Sequence, residues 1–451
     1  MVPDHPSRRT ALALLAGTAT VGCLGGRRPA DQPDDDDAPA AATPGDPDGA
    51  PAGEGSWPML GGDARHRGHA PSVSGREPGQ PVRVDADGPM TTPTVVDGTA
   101  YLVRGVPTDD GPRATVEAYA LDSGDRTASV PLAVDGDPVG FRFSAPNSNF
   151  RPVYYRGLLY VAVGQRVTVV DPAAGRQAWT TDAVDDLFFN EPPTVTDAGV
   201  FAGGPSGVAA YDHDGALRWR LPPTAADDDD PTTDRIGSPR VVAVSDGRAY
   251  LSWGSQLRAV DVADGSTVWR HDPDGPSAST VVATNDVLVR AGLHGVEVVT
   301  TQGERAWRGD WPGGAVVRPA VADGVAYVAG LTGHVVAYDL ADGERRWSRT
   351  VDPGGFAQGT TATVSQSAVH LLRVDPAERT VRVLALDRAD GDIAWERTRT
   401  ATRARGVVPA SGRYVFTAET TPEAQRQSST AGAGQDTSAT LWAFPVGEAD
   451  D

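Results

Sequence analysis

The amino-acid sequence predicts an all-β protein: an eight-bladed β-propeller of four-stranded antiparallel blades, its ring closed by an N-terminal strand. Three observations predict it. A phrase recurs as AYDLADGERRW (337–347), AVDVADGSTVW (259–269), VVDPAAGRQAW (169–179), LALDRADGDIAW (384–395) and AYDHDGALRW (210–219), with a looser VVTTQGERAW ending at Trp307. Its closing tryptophans, Trp179, Trp219, Trp269, Trp307, Trp347 and Trp395, lie 40, 50, 38, 40 and 48 residues apart, the period of a propeller blade. Between them the chain breaks into short apolar runs separated by glycine turns.

The unit at 318–351 shows why each run is a strand. Pro319 to Ala322 is a short apolar run, and Asp323-Gly324 is a tight turn, because glycine accepts positive φ. Val325 to Ala329 alternates as a half-buried strand does. Gly330 to Gly333 turns the chain into His334–Asp339, and Ala341 to Gly343 turns it into Arg345–Thr350. One blade cannot bury both of its faces, so stacking against neighbours supplies the core.

Eight such units are expected, at 93–132, 152–182, 192–221, 239–272, 279–310, 318–351, 360–398 and 406–446. The first puts Ala128 where Trp is expected. The eighth ends at LWAFPV (441–446) without a fourth strand, while Pro81 to Asp85 precedes the first unit without a blade. These two pieces are expected to pair and close the ring, since an open ring leaves two unpaired sheet edges. The recurring Trp reads as a wedge between blades, its N–H reaching a neighbouring carbonyl. The Asp of Asp-x-x-x-Gly reads as a turn residue bonding its own backbone.

This phrase resembles the pyrroloquinoline-quinone-like repeat, and Ser56-Trp-Pro-Met-Leu-Gly-Gly-Asp63 resembles the segment that introduces such domains. The resemblance covers Trp57 to Val446. It implies a fold shared by quinoprotein alcohol dehydrogenases and by cofactor-free propellers, among them the lipoprotein of outer-membrane barrel assembly. The enzymes of that family use adjacent cysteines beside the quinone. This chain has one cysteine, Cys23, and no match to the family's calcium-binding and catalytic acids. The resemblance therefore implies the repeat without the cofactor.

Residues 1–22 read as a twin-arginine signal peptide: Arg8-Arg9 precede an apolar run, Ala11 to Val21, too short to span a bilayer comfortably. Cys23, after Thr20-Val21-Gly22, reads as a lipidation site, a reading favoured by the absence of any other cysteine. Residues 23–55 read as a disordered acidic linker rich in Pro, Ala and Gly, residues 56–447 as the propeller, and 448–451 as an acidic tail.

The net charge is −20, and all 40 basic residues are arginine. Acidity with arginine in place of lysine implies a salt-rich habitat, where a screening length of about 3 Å makes self-repulsion cheap. It argues against nucleic acid as a partner. The runs Asp34–Asp37 and Asp227–Asp230 lack the spaced ligands and glycine of a calcium loop.

No Gly-x-Ser-x-Gly elbow or phosphate loop occurs, and no catalytic or metal-binding set is assigned. His66 and His69, in DARHRGH, lack a third ligand nearby and are placed on a surface segment. Three loops break the blade rhythm, at 141–151, 185–191 and 354–359, with a fourth insertion at 420–438. All three join a fourth strand to the next first strand, so they are expected to share one side of the ring. That side would carry Phe150, Arg151, Phe188, Phe189, Asn190, Phe356 and Gln358, the composition of a recognition surface; the same phenylalanines could instead plug the channel mouth. The expected function is a lipid-anchored propeller on the extracytoplasmic face of the cell membrane, binding a protein partner or scaffolding an assembly without a cofactor. A sugar-binding surface protein and a quinone-dependent oxidoreductase are the alternatives.

Overall fold

Eight four-stranded antiparallel sheets form in sequence order, as expected. In the computed structural model they are described over residues 53, 55–106, 113–132, 151–184, 187–189, 191–204, 207–222, 242–253, 256–272, 281–292, 295–310, 318–330, 332–351, 362–375, 377–420 and 437–446. Blades 1 to 7 span 94–131, 153–180, 194–221, 242–271, 282–310, 320–350 and 363–400. Blade 8 is built from 403–410, 413–420 and 438–445, and its fourth strand is Val82–Asp87. That strand pairs antiparallel with Ser438–Ala443 in six registered pairs, from Val82↔Ala443 to Asp87↔Ser438. The ring is therefore closed by the N-terminal strand, which starts one residue later and ends two residues later than the expected Pro81–Asp85.

The core lies between blades. Blades 6 and 7 share one apolar cluster that includes Ala337, Trp347, Val364 and Leu384, and blades 1 and 2 share another with Val103, Val130 and Val161. The repeated Trp makes these contacts directional. In seven blades the third and fourth strands slip register at the same point, as at Ala337↔Trp347 and Tyr338↔Arg345. A bulge of this kind bends the outer strand just before the Trp and aims its ring.

The ring then lies on the turn glycine of the following blade. A Cβ on Gly343 would stand 2.7 Å from the Trp307 ring, and one on Gly391 2.5 Å from that of Trp347. Both glycines also have positive φ, at 76° and 78°, so no other residue fits there without strain. The indole N–H bonds the carbonyl just after the turn's first residue: Trp219 to Val262, Trp269 to Thr301, Trp307 to Leu340 and Trp347 to Arg388, at 2.8–3.0 Å. Trp395 faces blade 8, whose third and fourth strands come from opposite ends of the chain, and bonds instead to Gly75 at 2.9 Å. The Trp179 ring lies on Gly215, but its N–H has no acceptor among the described residues.

Blade 1 lacks the Trp, and the matching glycine of blade 2, Gly175, has nothing within 4 Å of a Cβ position. Blade 1 carries instead a fully buried Glu117, held by Arg104 at 2.7 Å, Arg126 at 3.1 Å and the Tyr119 hydroxyl at 2.5 Å. Burial pushes that carboxyl up, but the Arg104 and Tyr119 hydrogen bonds and the two arginine charges together hold it below its ordinary range.

Candidate functional site

The first strand of every blade lines the central channel and is a sheet edge. Its inward N–H groups need acceptors. They find them in the segment from Gly55 to Gly79, which winds once around the inside of the ring. In six blades the donor is the equivalent residue, two before the first turn: Val95 to Trp57, Tyr154 to Pro58, Val244 to Ala64, Ala283 to Arg65, Val321 to Arg67 and Val364 to Gly68, counting for blade 1 the reciprocal pair. These bonds are 2.7–3.1 Å long. Blade 3 is reached by His66, whose Nε2 lies 3.1 Å from Thr194 Oγ1. In blade 8 the equivalent residue is Pro409, which has no N–H to satisfy; there Ser411 bonds Gly55 at 2.8 Å.

This corrects the surface placement for His66, which is 1% exposed. Asp63, Arg65 and Arg67 keep side chains 32%, 30% and 42% exposed, so the segment plugs the ring with its backbone and His66 while its charged groups reach solvent. Its alternation of polar side chains and backbone acceptors suits it to pairing around a ring, which a local reading cannot distinguish from a solvated loop.

Inside the plug lies a buried polar cluster. Arg151 is 4% exposed and Glu191 3%. Arg151 and Arg318 occupy the same repeat position, in Arg-Pro dipeptides that open the first strands of blades 2 and 6. Blades four apart in a ring of eight stand opposite, so the two guanidiniums enter the channel from opposite sides. Arg151 donates through Nη2 to the carbonyl of Pro93. Burial lowers Arg151 to about 9, with Arg318 adding to the effect, and lowers Arg318 to about 10 against the raising charge of Glu191. His66 lies well below its ordinary value through burial first and then the charges of Arg318 and Arg151, so it is neutral.

Of the loop residues read as a binding face, Arg151 and Phe189 are buried, the latter 0% exposed, and so cannot meet a partner at the surface. Their burial follows from position. Arg151 opens a channel-lining strand, and Phe189 packs in the core between blades 2 and 3 beside Tyr211. Phe188 is exposed at 37%. Phe150, Asn190, Phe356 and Gln358 lie outside the described residues, as do Arg8, Arg9, Cys23, both Asp runs, most of the 420–438 insertion and the acidic tail. The sequence reading missed Arg318 and the inward role of Arg151; the twice-used Arg-Pro at one repeat position was the available signal.

One cavity between this segment and the blades has a volume of about 20 Å³ and is lined by Trp57, Leu60, Thr92, Arg151, Arg318 and Thr363 among others. That is room for about one water-sized occupant. A tricyclic quinone does not fit it, and no three His, Cys, Asp or Glu side chains converge on a metal position among the described residues.

Folded-state burial of two histidines makes stability pH-dependent. His370 is buried between Tyr414 and Trp395, at ring distances of 4.4 and 5.7 Å, and burial lowers it to about 3. Both His66 and His370 thus lie below the unfolded value of about 6.5. As pH falls through 6.5 the unfolded chain binds protons that the folded chain refuses. The stability is complete above 6.5 and is lost below it, by up to about 1.4 kcal/mol per pH unit for each histidine. Burial also lowers His69, less than it lowers His66. Denaturant midpoints between pH 7.5 and 5 should show this slope, and His370→Phe should reduce it while leaving the parts due to His66 and His69. A flat profile would contradict the burial of both rings.

These features define a pyrroloquinoline-quinone-type repeat propeller whose inner strands are bonded by a segment that precedes the blades. A protein-family match described as outer membrane protein assembly factor BamB spans residues 112–292 and 290–442. The chain belongs to that family. It is 23% identical over 299 residues to the outer membrane protein assembly factor BamB of Yersinia pestis, covering 59% of this chain and 71% of that one. It is 30% identical over 147 residues to the serine/threonine-protein kinase AfsK of Streptomyces griseus, covering 28% of this chain and 18% of the kinase. Among solved structures it is similar to a europium-containing methanol dehydrogenase, with TM-score 0.65 at 13% identity, covering 87% of this chain and 98% of that one. It is also similar to BamB from Moraxella catarrhalis, with TM-score 0.53 at 11% identity, covering 80% and 97%. At these identities the structural likenesses show the fold alone.

Proposed function

We propose that this protein is a lipid-anchored, extracytoplasmic binding scaffold that takes part in assembling other exported or membrane proteins. The observation that carries this reading is the plug. With the inner strands of the ring bonded by the chain's own Gly55–Gly79 segment, recognition falls to the faces and rim of the ring, as in a docking platform. The family's name speaks of outer membrane protein assembly, which supports the same role. The single cysteine, placed after an apolar leader opened by Arg8-Arg9, supports export and anchoring through Cys23. A dehydrogenase role has the structural likeness in its favour, but the small cavity and the want of adjacent cysteines weigh against it.

The binding face we propose is the side carrying the 185–191 loop, with Phe188 as its described apolar contact. A photo-crosslinking residue at position 188 should give a discrete adduct in native membranes at high salt. One at Ile393, an exposed residue of an outer strand, should not. Phe188→Asp should abolish copurification of the crosslinked protein while leaving the melting midpoint unchanged. Equal adducts from both positions would refute the assigned face, and release of the protein regardless of Cys23→Ser would refute the anchor.

A further inference from the structure

We propose that the plugged channel holds one halide-sized anion, chloride, between Arg151 and Arg318. The Arg318 charge bears on Arg151 and the Glu191 charge bears on Arg318, so among the described residues Arg151 faces a like charge with no carboxylate acting on it, and His66 beside them is neutral. An isolated buried charge costs several kcal/mol. Arginine does not shed its proton to avoid that cost, so a counter-ion is the remaining remedy.

The cavity has the polar groups to receive one. Arg151 and Thr363 both line it, and Arg151 Nε and Thr363 Oγ1 are buried without a hydrogen-bond partner among the described residues. Thr363 is 1% exposed and Arg151 4%. Each is a donor. The remaining lining is Thr92, glycine backbone and the apolar side chains of Trp57, Leu60, Val407 and Val408, with no carboxylate to repel an anion. A volume of about 20 Å³ admits a monatomic anion in place of a water, and is too small for phosphate or a carboxylic acid. The opposed Arg-Pro dipeptides would then clamp blades 2 and 6 through a shared ion rather than repel across the channel.

The test separates this ion from general salt stabilisation. Sodium is held constant while gluconate, too large for the cavity, is exchanged for chloride. The melting midpoint should rise and saturate with chloride concentration. In Arg151→Gln the saturable part should vanish, with the gluconate midpoint equal to or above that of the parent. A crystal grown in bromide should show one anomalous peak within hydrogen-bonding distance of Arg151 Nε and Thr363 Oγ1, a readout that does not depend on the variant folding. Identical midpoints in the two salts, a saturable rise that survives in a folded Arg151→Gln, or an ordered water only at that position would overturn the proposal.

Discussion

Deleting the chain through Asp87 should cost this protein its stable monomeric fold, whereas deleting it through Ala52 should leave the melting midpoint unchanged. The longer deletion removes six registered pairs with Ser438–Ala443. At about 1 kcal/mol net per backbone hydrogen bond, that alone is comparable with the 5–15 kcal/mol that holds a typical domain together. It also strips Val82, Val84 and Ala86 from the apolar cluster joining blades 7, 8 and 1, and Arg83 from the face of Trp442, 5.3 Å away. The bared edge of blade 8 then invites edge-to-edge association. A third deletion, through Gly79, separates two contributions. It keeps the closing strand and removes the plug, so the ring should stay closed but melt earlier, with faster amide exchange at Val95, Tyr154, Val244, Ala283, Val321 and Val364. Equal midpoints for the deletions through Ala52 and Asp87 would sink this account of closure.

Replacing Trp347 by Ala should destabilise by about 3–5 kcal/mol, the range for emptying a large buried aromatic position. The ring is 6% exposed, lies on the Gly391 turn, bonds the Arg388 carbonyl at 2.8 Å and packs 6.1 Å from Tyr327. The converse experiment uses one of the two interfaces built without this wedge; at the other, between blades 8 and 1, Val82 and Val84 lie over Gly124. Ala128→Trp should place an indole on Gly175, where there is open space, and should stabilise by about 1 kcal/mol, less than the full value of burying a large side chain because the rim there stays wet. Denaturant titration measures both. If Ala128→Trp destabilises, the Trp-on-glycine contact does not transfer between blades, and its repetition reflects something other than inter-blade packing.

The blades were legible because each is written locally. The Asp-x-x-x-Gly turn, the small residue opposite the Trp and the Trp itself sit within about a dozen residues, so steric and hydrogen-bonding rules act on neighbours in sequence. Ala337, Asp339, Gly343 and Trp347 show all four parts. Ring closure was legible by arithmetic, since one blade lacked a strand and one strand lacked a blade. The inward turn of the plug was not legible. His66 and Thr194 are 128 residues apart, and Trp57 and Val95 are joined only by an isolated bridge. No periodicity announces contacts that are made once each around a ring.

By itself, the sequence determined the fold class, the number of blades, the wedge at six of the eight interfaces and the strand that closes the circle, because repetition turns a local preference into a global shape. The tertiary structure alone decided what fills the centre. Eight inner edges face one another across a channel, and the backbone groups on them must be satisfied from whatever chain reaches them. That requirement turned His66 and the backbone around it inward, and it set Arg151 at the channel, while packing between blades 2 and 3 buried Phe189.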